Sequence, residues 1–413
     1  MYSRSTSNRL LYTLFAAQSL LSASNIAVYT LLAIVAAQLA GTESAAGLPS
    51  STLTFSQALS AVPVAMIMGR FGRRIGLSLG YAASMLCGVV GIIAITQGSF
   101  VLLLASAALA GMGRASGDLS RFAAGEMFPE AERARMIGRI VFAGTIGAVV
   151  GPILVTPSGR LMELLGLPPD IGPWAGMVVL CGLATLITFF LLRPDPSKMA
   201  LALADSNAES TEDTPQTPAR PLSVLLRIPK VQLAIIAVLV SQTVMVVLMV
   251  MTPLHMEHHN HGRDAISMVI AAHTLGMFGF APVTGYLIDR FGRIPMLIVG
   301  ALTLVAAALL APIAVTEFSL AAALFLLGLG WNFGYVSGSS LLADALQGEE
   351  RARVQGVNDS LVFFAAGIGS LSAGTLFATG GFDAVSTAGL ALVVALLGLI
   401  VWFNRPQLKT EAA

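Results

Sequence analysis

The chain has 413 residues, of which 56% are hydrophobic and 11% are charged, and its formal net charge is +1 at pH 7. This composition is typical of a protein that crosses a membrane many times, and it excludes a soluble enzyme or a nucleic-acid-binding protein. Both cysteines, Cys87 and Cys181, lie in apolar segments, so the sequence predicts neither a disulfide nor a cysteine metal site.

Twelve apolar segments are long enough to span about 30 Å of hydrocarbon, and they fall in two sets of six. They cover residues 10–39, 48–68, 75–96, 100–121, 137–157, 172–192, 231–256, 265–288, 294–315, 318–343, 355–377 and 384–404. We predict an all-α polytopic membrane protein with an N-terminal bundle over 1–193 and a C-terminal bundle over 231–413. The intervening residues 194–230 are rich in proline and acidic residues and predict a flexible linker.

Basic residues lie almost entirely in the connections on one side of the predicted membrane. Arg70, Arg73 and Arg74 follow helix two, whereas only Arg160 and Arg263 fall in loops of the opposite side. Because short cytoplasmic loops are enriched in Lys and Arg, the pattern places both termini and the linker in the cytoplasm. The loop between helices seven and eight is then external.

Two short motifs occur once in each set of six helices. Gly-Arg-Phe-Gly-Arg-Arg at residues 69–74 returns as Asp-Arg-Phe-Gly-Arg-Ile at residues 289–294, and Glu-Arg-Ala-Arg at residues 132–135 returns at residues 350–353. Repetition of this kind predicts two homologous halves. The two six-helix bundles are therefore expected to be pseudo-symmetric.

The first of these motifs resembles the loop between helices two and three of the major facilitator superfamily, written G-x-x-x-D-R-x-G-R-R. The resemblance implies that superfamily's twelve-helix transporter fold and a latch function for the loops. The candidate gating residues are Arg70, Arg73, Asp289, Arg290 and Arg293. Since Gly69 stands where the motif has Asp, we expect the cytoplasmic gate to depend on the second copy.

Helix four carries Arg114 and Asp118, one helical turn apart. Charges inside a membrane cost about 2.5–3.5 kcal/mol each on insertion scales, so the two side chains are expected to pair. Arg114 also occupies the place where many superfamily members keep an arginine associated with proton coupling. The residues are therefore candidates either for proton coupling or for a structural ion pair.

Histidine and methionine are concentrated around the predicted connection between helices seven and eight. Met245 and Met249 are four residues apart on helix seven, as are His273 and Met277 on helix eight, so each pair projects from one helix face. Because the helices are antiparallel, the four side chains are expected to come level near the middle of the membrane. Thioether and imidazole groups are suitable ligands for copper, and they predict a metal site there.

The external end of this region holds the other four histidines of the chain. They are predicted, together with Met256, to capture metal ions outside the membrane: His255, His258, His259 and His261. An exposed polar loop or a pH-sensing loop would explain the same pattern, because free imidazole titrates near pH 6.5.

The spacing of Met245, Met249, His273 and Met277 is similar to that in the CcoA-type copper importers of the superfamily. This resemblance implies a multi-pass copper importer of the bacterial inner membrane, with copper as substrate and no cofactor. We expect a monomer, with a periplasmic or cytosolic copper chaperone as a possible partner. The composition and the lack of catalytic motifs in the sequence predict no catalytic residues and no nucleic-acid partner.

Three other functions remain open at this point. Relatives of the branch are thought to carry riboflavin, and His273 would then be a hydrogen-bonding or proton-coupling group. Gly147, Gly151 and Pro152 in helix five resemble a motif of drug/proton antiporters, although close helix packing explains the glycines as well. A membrane sensor that transports nothing is the third.

Overall fold

The computed structural model describes residues 3–208, 220–346 and 348–403, and these residues are almost entirely helical. Twelve helices have the length and apolar character of membrane spans, six in each half. In chain order they are α1 Arg4–Ala40, α2 Leu48–Phe71, α3 Arg73–Gln97, α4 Phe100–Glu126, α5 Glu130–Ile153, α6 Gly172–Leu191, α7 Pro229–His258, α8 Arg263–Phe278 with Ala281–Phe291, α9 Arg293–Leu310, α10 Glu317–Asp344, and α11 and α12, which together form Gly348–Phe403. The short helices are Glu43–Ala45, Val155–Leu164, Pro169–Ile171, Pro196–Ala208, Leu222–Leu225 and Ala311–Ile313.

The last two spans form one continuous stretch that changes direction at two glycines. Gly380 and Gly381 leave the helical conformation, and Gly381 has φ +62°. Of the 11 stretches that are long and apolar enough to cross a membrane, the last, Val354–Phe403, has 50 residues and therefore contains both α11 and α12. The predicted fold class of twelve helices in two bundles is confirmed.

The helices extend further into the cytoplasmic side than the hydropathy pattern predicted. α4 continues to Glu126 and α5 begins at Glu130, because charged residues beyond the hydrocarbon still satisfy their backbone groups within the helix. Their side chains pair with neighbours, as in the Arg73–Glu126 contact of 2.5 Å. Charged residues in the sequence therefore indicated where the helices leave the membrane, but not where the helices end.

The two halves repeat one packing scheme. In the N-terminal half α1 packs on α5 and α4 packs on α2 and α3; in the C-terminal half α7 packs on α11 and α10 packs on α8 and α9. The halves meet where α2 packs on α11 and α5 packs on α8. These helices, with α1 and α7, enclose the centre of the molecule.

The external face is closed by contacts between the halves. Arg263 of α8 contacts Asp170 at 2.5 Å, and Arg160 contacts Asp264 of α8 at 3.6 Å. The two arginines that broke the positive-inside pattern thus each pair with an aspartate of the opposite half. His258 also pairs with Glu43 at 2.7 Å across the same boundary.

The cytoplasmic loops of the two motifs have the same geometry. Gly72 and Gly292 have φ of +93° and +92°, a conformation that favours glycine. The arginine that follows each glycine pairs with an acidic residue at the end of the fourth helix of its own half: Arg73 with Glu126, and Arg293 with Asp344. These ion pairs lie within a half, so the cytoplasmic face is not closed by them.

The region between the halves contains helical structure. Pro196–Ala208 is helical, and residues 209–219 lie outside the described residues. The side chain and backbone N–H of Arg220 donate to Glu350, the first residue of the repeated Glu-Arg-Ala-Arg motif. Arg4 makes the equivalent contact with Glu132 in the first motif. The boundaries at residues 193 and 230 stay a prediction.

Candidate functional site

A cavity of about 150 Å³ lies between the two halves at the centre of the molecule. α1, α2 and α4 line it on one side, and α7, α8 and α11 on the other. A second cavity of about 210 Å³ adjoins it among α1, α4 and α5, closer to the cytoplasmic ends of these helices. Ile26, Arg114 and Phe278 line both cavities, which together lead from the centre toward the cytoplasm.

The four residues predicted as a mid-membrane site line the same central cavity. Met245 and Met249 approach it from α7, and His273 and Met277 from α8. Their faces therefore point to one space and not to lipid. This convergence agrees with the spacing argument, while their role as metal ligands stays a prediction.

His273 presents a free hydrogen-bond acceptor in the protein interior. Its Nδ1 lies 2.9 Å from the Leu324 carbonyl oxygen of α10, and because that oxygen only accepts, Nδ1 carries the proton. Nε2 then bears a lone pair, is buried, and has no hydrogen-bond partner in the described chain. An unpaired buried acceptor costs about 1–3 kcal/mol, so Nε2 is available to a hydrogen-bond donor in the cavity.

Close packing of α8 on α10 sets this orientation. A Cβ atom at Gly328 would lie 2.2 Å from the His273 carbonyl oxygen, and one at Gly276 would lie 2.4 Å from that of Phe325. Only glycine at these two positions lets the helices approach closely enough for the His273–Leu324 hydrogen bond. The close approach of the two helix backbones therefore fixes the orientation of the imidazole.

A break in α8 lies directly beside the cavity. The helix is interrupted after Phe278, and the buried amide of Asn332 fixes the break by donating to the Met277 carbonyl at 2.6 Å and accepting from Thr284 at 2.5 Å. In a membrane interior, backbone groups freed by a break need such partners. Asn332 thus positions Met277 and Phe278 at the cavity wall.

Aromatic side chains of α10 support the lining residues of the central cavity from behind. Trp331 donates through Nε1 to the Gln242 side-chain oxygen at 2.7 Å. Its ring stacks on Tyr335 with centroids 4.8 Å apart and meets Phe278 edge-on at 5.8 Å. Gln242 and Phe278 line the central cavity, as does Phe363 of α11.

The N-terminal half contributes charged and amide groups. Asp118 accepts a hydrogen bond from Gln57 of α2 at 2.7 Å, and the guanidinium of Arg114 lies over the Tyr29 ring at 5.7 Å. The expected Arg114–Asp118 ion pair is wrong, since no such pair within 4.0 Å occurs in the described chain. The two side chains therefore contact Gln57 and Tyr29 and form no direct ion pair with each other.

The external histidines are engaged in protein contacts. His255 is 8% exposed and stacks on Phe382 at 4.4 Å, while His258 pairs with Glu43. The remaining two bond to carbonyl oxygens: His259 Nδ1 to that of His255, and His261 Nε2 to that of Val315. The predicted partner Met256 is fully buried.

These contacts change the interpretation of the external end. Within the described residues no group of three or more His, Cys, Asp or Glu side chains is placed to hold a metal ion. The sequence placed the histidines together but did not reveal that they pack against the other half and neighbouring loops. Metal capture by His255, Met256, His258, His259 and His261 stays a prediction, and these protein contacts do not favour it.

Sequence reasoning also missed several residues of the site. Asn332 and Gln57 were detectable, because an amide inside a membrane helix is costly unless it is paired. Trp331 and Phe363 gave no such signal, since aromatic residues are ordinary in apolar helices. The arrangement as a whole can accept hydrogen bonds, stack on a flat ring and offer thioether sulfur.

A family model described as Major Facilitator Superfamily matches residues 14–262 and 233–413. The chain is 33% identical over 378 residues to YddS of Bacillus subtilis, an uncharacterised transporter of that type, covering 91% of this chain and 86% of the relative. It is 29% identical over 397 residues to the riboflavin transporter RfnT of Brucella anthropi, covering 95% and 94%.

Among solved structures, the fold is similar to that of a D-xylose-proton symporter, with a TM-score of 0.72 over 97% of this chain and 99% of that one. Identity is 15%, so this likeness concerns the fold alone. The relatives named above leave the resemblance to copper importers unsupported.

Proposed function

The chain belongs to the major facilitator superfamily of secondary transporters, which are not enzymes, and on that basis we propose that it carries an organic solute with a flat aromatic ring system. Riboflavin is the first such molecule to test. Because relatives are bacterial, we place the protein in the bacterial cytoplasmic membrane. It would work there by alternating access, here in its cytoplasm-facing state.

The observation that carries this proposal is the lining and size of the two adjoining cavities. Small-molecule sites usually occupy about 300–1,000 Å³; volumes of about 150 and 210 Å³ reach that range only together. Phe278 lines both, which places an aromatic wall where they join. A solute that fills both would extend from Gln242 and His273 to the polar groups around Asp118.

The chemistry of the wall fits a heteroaromatic solute with a polar chain. The bare Nε2 of His273 would accept from a ring N–H, and Gln242, held by Trp331, would donate and accept at the ring edge. The name of the relative RfnT supports the same substrate class. Hydroxyl groups of a chain would find Gln18, Asn25 and Asp118 in the second cavity.

The test is uptake of radiolabelled riboflavin into liposomes that contain the purified protein, together with binding measured by quenching of flavin fluorescence. Gln242→Leu removes the amide at the ring edge, and we expect binding to weaken about tenfold. Gln97→Leu makes the same chemical change at an exposed position outside both cavities and should bind normally. Wild-type protein that neither binds nor transports riboflavin, other flavins or flat heteroaromatics would refute the proposal.

Asp118 is the proposed coupling group, because it is the acidic residue that lines the second cavity, where it lies beside Arg114 and Arg121 and accepts a hydrogen bond from Gln57. Asp118→Asn should still exchange labelled for unlabelled solute across the membrane but lose accumulation driven by a pH gradient. Unchanged accumulation would assign Asp118 a structural role.

Copper is the second candidate, favoured by one observation: three thioethers and a bare imidazole nitrogen share the central cavity. Soft neutral ligands of this kind suit Cu(I). Replacing Met245, Met249 and Met277 together by leucine keeps the apolar volume and removes the sulfur. Riboflavin transport should persist in this variant, whereas copper uptake, measured in cells without their own importers, should be lost if copper is the substrate.

A further inference from the structure

The first copy of the repeated loop lies beside a basic pocket at the cytoplasmic end of the N-terminal half. The pocket has a volume of about 530 Å³ and is lined by most residues of the two segments 69–74 and 193–198, with the exception of Arg73 and Pro196. Four of its side chains are cationic: Arg70, Arg74, Arg193 and Lys198. None of them takes part in the proposed transport site.

The one carboxylate in this pocket is already engaged. Asp195 accepts from the backbone N–H groups of Arg73 at 3.1 Å, Arg74 at 3.0 Å and Ser197 at 2.9 Å. It therefore caps the start of α3 and does not pair with any of the four cations in the described chain. Positive charge in the pocket exceeds negative charge.

The guanidinium groups are also arranged around exposed aromatic rings. Arg74 lies over the Phe189 ring at 5.5 Å and Arg193 over the same ring at 6.0 Å. Phe189 is 41% exposed and its neighbour Phe190 59%. Nε of Arg74 is shielded from solvent and lacks a hydrogen-bond partner in the described chain, so the pocket offers an unused donor.

A comparison with the second copy of the loop shows what makes this pocket basic. The second copy has Asp289 where the first has Gly69. An aspartate at residue 69 would put a carboxylate on the pocket wall, and a Cβ atom there would meet nothing within 4 Å. Space alone therefore does not explain the glycine, and the loss of negative charge is the consequence that matters.

We propose that this pocket binds the phosphate group of an anionic phospholipid of the cytoplasmic leaflet. Guanidinium groups recognise phosphate by paired, charge-assisted hydrogen bonds. Basic pockets at the cytoplasmic ends of membrane helices attract acidic headgroups, and aromatic rings are favoured at the same depth. The exposed rings of Phe189 and Phe190 would lie against the acyl region while the headgroup enters the pocket.

The experiment measures lipids retained by the purified protein in native mass spectrometry, with phosphatidylglycerol and phosphatidylethanolamine as probes. Wild type should retain phosphatidylglycerol in preference. One charge near a membrane surface is worth about fivefold in affinity, so Gly69→Asp should weaken phosphatidylglycerol binding about fivefold, whereas the matched neutral Gly69→Asn should bind like wild type. Equal retention of both lipids, or no effect of Gly69→Asp, would overturn the proposal.

Two further comparisons make the assignment specific. Lys198→Gln should weaken phosphatidylglycerol binding to the same degree, while Lys230→Gln, which removes an exposed cytoplasmic charge outside the pocket, should not. Inorganic phosphate tests the other source of this chemistry. If millimolar phosphate displaced phosphatidylglycerol and bound equally well without it, the site would belong to a soluble phosphate compound and the lipid assignment would be wrong.

Discussion

Ion pairs connect different parts of the molecule at its external and cytoplasmic ends. At the external end, ion pairs join the halves reciprocally: Arg263 to Asp170 and Arg160 to Asp264. At the cytoplasmic end, the pairs found in the described residues stay within one half, as between Arg73 and Glu126. A rocking motion of the halves must break the first kind and can leave the second kind intact.

This difference separates the contacts that control which side of the membrane the cavity opens to from the contacts that stabilise each half. The external pairs hold the cavity closed to the outside, while the cytoplasmic pairs stiffen each half as a unit. Exposed ion pairs are individually worth less than about 1 kcal/mol. Several weak contacts across one face are appropriate for a transporter, because the balance between its two states has to be reversible.

The largest effect should come from making the external closure permanent. With Glu43→Cys and His258→Cys, whose native side chains are 2.7 Å apart, a short bifunctional thiol reagent should abolish uptake while binding from the cytoplasmic side persists. Cys87 and Cys181 are buried and should not react. The matched control, Arg4→Cys with Glu132→Cys, cross-links one half to itself and should keep its uptake. Normal uptake by fully cross-linked external pairs would contradict this state assignment.

Reversing one charge of the external closure should have a smaller effect. Arg263→Asp places two carboxylates together where the native pair is 39% and 21% exposed, and we expect the outward-facing population to rise about fivefold. A cysteine at Thr54, which lines the central cavity, reports this as faster labelling by an external thiol reagent.

The charge swap completes this test. Adding Asp170→Arg to Arg263→Asp should return the labelling rate at position 54 to within about twofold of the original, since attraction between the partners is restored. A rate that stays high in the double variant would mean that the two side chains do not act as a pair.

Substitutions in the two cytoplasmic loops should change the uptake rate by different amounts, and this difference should be smaller than the effects above. Asp289 is exposed and makes no ion pair within the described residues in this cytoplasm-facing state, so its carboxylate is available to a helix end when the cytoplasmic side closes. Such a contact is worth about 0.3–1 kcal/mol. Asp289→Asn should slow uptake two- to fivefold, and Gly69→Asn in the first copy should not. Equal uptake rates for the two variants would show that the second copy of the loop has no special role in closing the cytoplasmic side.

The helices and their pairing could be predicted from the sequence, because a membrane span must be long, apolar and internally hydrogen-bonded. The same reasoning brought Met249 and His273 to one level from helix spacing alone. The sequence analysis did not predict the interruption of α8 after Phe278. Pro282, four residues further on, was a signal for it, because proline disrupts helical hydrogen bonding.

The external histidines show that spacing along the sequence does not predict which side chains contact each other in the fold. The four external histidines predict a ligand cluster only if their free ring nitrogens converge on one point, and that depends on contacts with segments far away in the chain. His258 meets Glu43 and His255 meets Phe382, from segments more than a hundred residues away. Likewise, Trp331 could not be assigned to Gln242 from its own helix. Long-range packing, not local pattern, decides these contacts.

The smallest effect on transport should come from two equivalent ion pairs, Arg220–Glu350 and Arg4–Glu132, which we call clamps. Each joins an arginine at or before the first helix of a half to the start of the fifth helix of that half. Arg220 donates three hydrogen bonds to Glu350, whose side chain is 8% exposed, whereas the Arg4–Glu132 pair is 76% and 32% exposed. The hydrogen bond to Glu350 raises the pKa of Arg220 further above its already high value, so alkaline conditions that the protein survives do not release this clamp.

Neither clamp crosses from one half to the other, so breaking either should leave the uptake rate nearly unchanged and lower only the stability. Arg220→Ala removes three hydrogen bonds from the Glu350 side chain, which is 8% exposed, and we expect a clear fall in melting temperature, whereas Arg4→Ala should shift it very little because water replaces an exposed partner. Melting of the detergent-solubilised variants by intrinsic tryptophan fluorescence measures both. Equal shifts would mean that burial of Glu350 does not distinguish the halves. A loss of uptake in Arg220→Ala at normal stability would mean that this cytoplasmic contact, like the external ones, sets the state of the transporter.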